Sequence, residues 1–209
     1  LDFLPTDWAA LPDSAPQHHL GQALQRLRRA GLLPLGTPGD HIVAQWGEEW
    51  LPPLQTWQGL QRDHTQPGAR VPLMRTADLQ NAINLIATGA YPESSGGQND
   101  LEPDTLPSLQ DWLDGLRCNA AGQAVWMQLT PSRLLQDAKK RSLRADLMIQ
   151  PWLCSLAAAA SGTELRGLLV ARDVWLEWEP LEPKAARTQL DRWLYACHQG
   201  QRAPLPLPV

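Results

Sequence analysis

What most constrains the fold is a hydrophobic period that switches twice along the chain from helical to strand-like. Residues 109–117 and 123–130 are short apolar runs joined by Asn119, Ala120, Ala121 and Gly122, the composition of a hairpin turn. Residues 164–171 and 174–179 repeat the pattern about Arg172 and Asp173. Alternation there places Val174, Leu176 and Trp178 on one strand face and Trp175, Glu177 and Glu179 on the other. Helical spacing surrounds the hairpins: 17–30 (Leu20, Leu24, Leu27, with Gly31 as C-cap), 145–160 (Leu147, Trp152, Leu153, Leu156) and 182–199 (Leu190 and Leu194 inward, Gly200 behind). An order of helix, helix, hairpin, helix, hairpin, helix specifies a mixed α/β fold of the α+β type on a largely antiparallel sheet.

Smaller segments fill in the plan. Asp40 opens a helix carrying Ile42, Val43, Trp46 and Trp50, which Pro52-Pro53 is expected to break or bend. A further helical stretch with Leu54, Trp57 and Leu60 ends before Pro67-Gly68. Residues 71–75 read as a strand, 77–87 lean to helix over strand, 92–107 read as a mobile loop, and Pro151 predicts a kink or restart. The expected division is a helical segment at 1–69 leading into an α/β domain at 70–209, incomplete at its C-terminal edge.

Composition narrows the function. Eighteen basic against twenty-two acidic side chains give a formal charge of −4, which argues against a stand-alone nucleic-acid binder held by phosphate electrostatics. Cys118, Cys154 and Cys197 are odd in number, widely spaced and free of any CxxC pair, so a reducing cytosol is expected. No apolar run approaches the ~20 residues of a membrane span, and no signal peptide is seen. The start at Leu1 and the proline-rich run 204–209 read as a fragment of a longer protein.

The motifs of nucleotide hydrolysis, hydride transfer, zinc proteolysis and the hydrolase elbow are absent from the sequence. The segment around Asp114 differs. In metal-dependent nucleases of the PD-(D/E)xK type, one hairpin strand carries an Asp, the next an acidic residue, and a Lys follows two positions later; the carboxylates bind Mg²⁺ and the Lys supports the attacking water. Here Asp114 aligns with the first strand, but Gln128 stands at the second carboxylate and Thr130 at the Lys. An amide brings no charge to a metal and a hydroxyl no cationic head. These residues therefore read as a catalytically degenerate nuclease-like sheet flanked by helices, without catalytic residues, metal or cofactor. An ordinary hairpin with an exposed Asp114 remains the alternative.

Arg133, Lys139, Lys140, Arg141 and Arg144 form a basic stretch that reads as a solvated loop or, with Trp112 and Trp126 on the hairpin, as a local phosphate contact. Glu177 and Glu179 read as a solvated sheet face. Trp46, Trp50 and Trp57 are expected on helix faces as core or partner anchors.

Residues 28–40, Arg-Arg-Ala-Gly-Leu-Leu-Pro-Leu-Gly-Thr-Pro-Gly-Asp, resemble the L-R-x-x-G-x-L-P-x-G-x-x-G-(D/E) segment of the exodeoxyribonuclease V gamma chain family, the RecC subunits of RecBCD helicase-nucleases. Four further stretches match in order: Trp112-Leu-Asp-Gly-Leu, Leu129-Thr-Pro-Ser-Arg-Leu, the Pro151-Trp-Leu helix, and 190–200 followed by 203–207. The resemblance implies a C-terminal nuclease-like domain that lacks catalytic residues. It also implies a bacterial cytoplasmic scaffold packed against the beta and alpha helicase subunits, with no membrane partner; in that family the gamma chain as a whole helps part the DNA end, guides single strands and takes part in Chi recognition, whose elements are expected in its N-terminal helicase-like part rather than in these residues. Residues 89–108 look inserted relative to that family, and Ser155 replaces its commoner His.

Overall fold

The computed structural model describes residues 5, 7–78, 106–137, 139 and 141–202. The helix expected at 77–87 and the loop at 92–107 therefore lie almost wholly outside the described residues. The chain divides into two compact units, Leu1–Ala69 with Gly115–Met148 and Arg166–Trp178, and Arg70–Asp114 with Ile149–Leu165 and Glu179–Val209.

In the first unit, α1 (Ala15–Arg29) and α2 (Thr37–Asp63) pack through Leu20, Leu24 and Leu54, with Trp46, Trp50 and Trp57 partly buried against that cluster. Trp8 completes it. Two buried glutamines of α2 hold the lead-in chain: Trp8 N donates to Gln61 Oε1 at 2.7 Å, and Gln58 Nε2 donates to the carbonyls of Leu11 (3.0 Å) and Pro12 (3.1 Å). Of the break or bend expected at Pro52 and Pro53 the break does not occur: α2 is one helix from Thr37 to Asp63. An interior proline costs about 3 kcal/mol, and it is offset by burial of Pro53 and by packing of Leu54 in the cluster that Trp50 and Trp57 flank.

Also in this unit, β1 (Gln66–Pro67), β4 (Leu116–Cys118), β5 (Ala124–Leu129), β8 (Arg166–Val170) and β9 (Trp175–Trp178) form a mixed sheet in the order β1-β4-β5-β8-β9. β5 and β8 are parallel and the other pairs antiparallel. One sheet face sets Val125, Met127 and Leu168 against Trp57 and Leu60 of α2. The other gathers Leu169, Leu176 and Trp178 around Leu134, with Leu147 and Met148 from the first turn of α3 (Ala145–Ala160). The Trp178 ring lies over Gly167, where a Cβ would come within 2.0 Å of it, and meets Trp126 edge-on at 6.2 Å. The second hairpin and its two faces thus follow the alternation read from sequence. Residues 131–144, expected as loop, include a small ribbon of β6 (Leu135–Asp137) and β7 (Ser142–Leu143).

In the second unit, β2 (Val71–Thr76) and β3 (Ser108–Leu113) pair antiparallel, Pro72 opposite Trp112 and Met74 opposite Gln110. α3 shows no restart at Pro151, whose carbonyl accepts the Ser155 hydroxyl at 2.9 Å. Its alanines allow close approach of α4 (Pro183–Arg202), so that Leu156 and Ala159 pack on Ala186. α4 continues through Gly200, beyond the stop expected there. Arg75 grips the fully buried Asp191 of α4 with two hydrogen bonds, Nε to Oδ1 at 3.0 Å and Nη2 to Oδ2 at 2.7 Å.

The run 109–117 is not one strand. It breaks at Asp114-Gly115, because Gly115 takes a φ of +78° that a side chain would resist. Its first part pairs with β2 and its last part with β5.

Candidate functional site

The β4–β5 hairpin leads through Gln128 to Thr130, two of the three positions at which the sequence reading looks for nuclease chemistry. Asn119 builds its turn: its Oδ1 accepts from the amides of Ala121 (3.0 Å) and Gln123 (2.9 Å), and Gly122 supplies a positive φ. Gln128 lies on β5 opposite Leu169 of β8, on the face that carries Trp126 and Trp178. Its Oε1 is buried and has no hydrogen-bond partner among the described residues. Thr130 follows the end of β5, its amide donating to Val170 O at 2.9 Å and its Oγ1 accepting from Ser132 N at 3.4 Å. Asp114 stands outside the strands, in the break after β3, where its exposed carboxylate pairs with Arg70 Nε at 2.6 Å. The structure therefore does not place Asp114 on the strand that pairs with β5.

Of the basic stretch, Arg133 pairs with Glu49 at 3.4 Å and Arg144 with Asp146 at 2.8 Å. The Arg144 guanidinium holds the Asp146 carboxyl below its ordinary range. Lys139 is exposed and its amide donates to Asp137, Arg141 takes a φ of +51°, and Lys140 lies outside the described residues. Trp126 is 6% exposed, whereas Trp112 is 59% exposed on the outer face of the β2–β3 ribbon. Glu177 pairs with Arg166 at 2.7 Å on the sheet.

Two anchors escaped the sequence reading. Glu49 of α2 bridges Arg133 and Arg172, the latter at 3.2 Å. Asp173 receives the amides of Leu134 (2.9 Å) and Leu135 (3.0 Å), fixing the chain as it leaves β5 to the turn between β8 and β9. Both contacts join residues far apart in sequence, and no local pattern announces them. In the second unit, burial, with Asp111 adding to it, pushes the Cys154 thiol up, so it sits as a neutral apolar group.

Among the described residues no group of three or more His, Cys, Asp or Glu is placed to hold a metal ion, and no helix is long and apolar enough to cross a membrane. The family model of the RecC C-terminal domain matches residues 6–209. The chain belongs to the RecC C-terminal domain family. RecC is a subunit of exodeoxyribonuclease V, the RecBCD complex. The match takes in the Gly31–Asp40 loop, the hairpin and α4 together, as the ordered motifs lead one to expect. No curated protein matches the chain.

Proposed function

We propose that this chain is a noncatalytic scaffold and DNA-guiding domain of a RecBCD-type helicase-nuclease, acting on double-strand ends in the bacterial cytoplasm beside the beta and alpha helicase subunits. Its fold, on this reading, is a PD-(D/E)xK nuclease-like sheet that has lost its chemistry. The observation that carries the proposal is position 128: where such a nuclease needs a metal-binding carboxylate, an amide stands with its oxygen buried and unpaired among the described residues. A divalent ion needs charged oxygen ligands, and Thr130, with its hydroxyl turned to Ser132, supplies no cation for an attacking water. Arg133, Lys139, Lys140, Arg141 and Arg144, with exposed Trp112, are the residues assigned to strand contact, and Trp126 to support of the hairpin.

The test uses the assembled complex and the chain by itself. Asp114→Ala and Gln128→Ala complexes should unwind and cut linear DNA as the wild type does, and the chain alone with Mg²⁺ or Mn²⁺ should cut neither linear nor single-stranded DNA. Cleavage by the chain alone that disappears in Asp114→Ala overturns the reading. Salt-sensitive binding to DNA by the chain alone, lost when Lys139, Lys140 and Arg141 are neutralised, would instead make it an independent DNA-binding module.

A further inference from the structure

The loop between α1 and α2 exposes Leu32 (70%) and Leu35 (83%), the two most exposed large apolar side chains among the described residues. Nothing about the loop is slack. Leu32 N donates to Leu27 O at 3.0 Å and Gly31 N to Arg28 O at 3.1 Å, which closes the end of α1. Leu33, between the exposed pair, is buried. Gly36 adopts φ 69°, ψ −154°, a conformation essentially reserved for glycine. Gly39 lies so close to the preceding turn that a Cβ would come within 1.9 Å of Pro34 O. An ion pair of 2.7 Å from Arg28 to Asp40 ties the two ends together.

Two leucines held in water on a rigid loop lose solvation free energy and gain nothing within their own unit. Because the loop is preordered, a pocket that buries them would meet little of the ordering cost that weakens flexible contacts. Exposed Arg26, Arg28 and Arg29 of the last turn of α1 immediately precede it, and Asp40 answers Arg28. We propose that this loop is a plug for an apolar, acid-rimmed pocket on another polypeptide of the complex, an inference that rests on the scaffold reading above. A nucleic-acid strand fits it less well: phosphates would suit the arginines, but aliphatic side chains offer bases no stacking surface.

The experiment uses the intact gamma chain with its helicase partners. Leu32→Ser, Leu35→Ser, the double variant and Arg26→Glu/Arg29→Glu are compared for affinity to each partner subunit, with thermal melting of each variant as the folding control. Each leucine variant should weaken one partner's binding about tenfold or more. The double variant should weaken it further, and the charge reversal should do so most at low salt, all with melting unchanged. Wild-type affinity in the double variant refutes the plug. So does a lowered melting temperature, which would place the leucines inside their own chain, or a defect confined to single-stranded DNA binding. Failure of the wild-type chain to bind either partner subunit would overturn the scaffold reading itself.

Discussion

Removing Arg75 should uncouple α4 from the β2–β3 ribbon. Asp191 is completely buried, and its carboxylate accepts Arg75 Nε and Nη2 at 3.0 and 2.7 Å as well as the Asp78 amide at 3.4 Å. The carboxylate in turn raises the Arg75 pKa, chiefly through the side-chain hydrogen bond. Arg75→Met removes the bidentate partner but leaves the charge. At an effective dielectric of 20 two charges ~4 Å apart attract by about 4 kcal/mol, and stripping one partner from a buried pair typically costs about 3–5 kcal/mol. In a chain of this size that corresponds to a fall in melting temperature of roughly 6–20 °C. Urea and thermal unfolding followed by far-ultraviolet circular dichroism read the loss, and the second unit's edge-on pair of Trp152 and Trp193 at 5.8 Å should weaken its share of the near-ultraviolet signal. Arg75→Met/Asp191→Leu should recover most of the loss, because the uncompensated charge is gone. A single variant within ~1 kcal/mol of wild type would show that the pair is solvated and weak, and would refute the argument.

Gly167→Ala drives a methyl into the Trp178 ring and should cost roughly 1–3 kcal/mol while weakening the near-ultraviolet signal of the Trp126–Trp178 pair; an unchanged spectrum would mean the ring does not cover Gly167. Gln128→Met removes an unpaired buried oxygen and should raise stability by up to about 1 kcal/mol, whereas Gln128→Glu should lower it. A loss of more than ~1 kcal/mol in the Met variant would mean that the amide is satisfied in solution. Glu182 caps α4, accepting the amides of Lys184 and Ala185 just beyond Pro183, and those two bonds hold its pKa below the ordinary glutamate range. A depressed carboxyl pKa stabilises above the unfolded value and ceases to do so as pH falls through the folded one. Protection of the Ala185 and Lys184 amides, measured against their intrinsic exchange rates at each pH, should therefore fall on acidification below the ordinary glutamate range. Glu182→Ala should remove that protection already at neutral pH and abolish the acid step.

The elements legible in the sequence are those whose local pattern and tertiary role agree. α1 was visible because Leu20, Leu24 and Leu27 share a face and Gly31 marks the stop. The β8–β9 hairpin is visible because β9 alternates as an edge strand with one covered side, beside the near-continuous apolar run of β8, which is covered on both. Where the two disagree, local rules mislead. Pro52-Pro53 signals an end, but apolar burial on either side carries α2 through it. The run 109–117 has strand composition throughout, and the positive φ at Gly115 sends its halves to different pairings. An isolated glycine inside a strand pattern was the available sign of that break.

For the candidate site, residue types were legible and their partners were not. Gln128 and Thr130 are the residues that the proposed nuclease alignment sets at a carboxylate and a lysine, yet it takes the fold to show that the Gln128 oxygen is buried. The basic stretch looks like free positive charge until Glu49, more than eighty residues away, is found between Arg133 and Arg172. The same pairing recurs through the first unit, in Arg28–Asp40, Arg62–Asp13, Arg117–Asp7 and Arg166–Glu177. Exposed pairs of this kind contribute only about 0–1 kcal/mol each, so a phosphate brought against one can replace its carboxylate at small cost. Free DNA meets a chain of net charge −4 with many of its arginines already answered. On the proposed function, a strand delivered and held by neighbouring helicase subunits would meet the same arginines at high local concentration. On the scaffold reading proposed above, that difference lets a weakly acidic domain guide DNA inside an assembly without binding it strongly outside one.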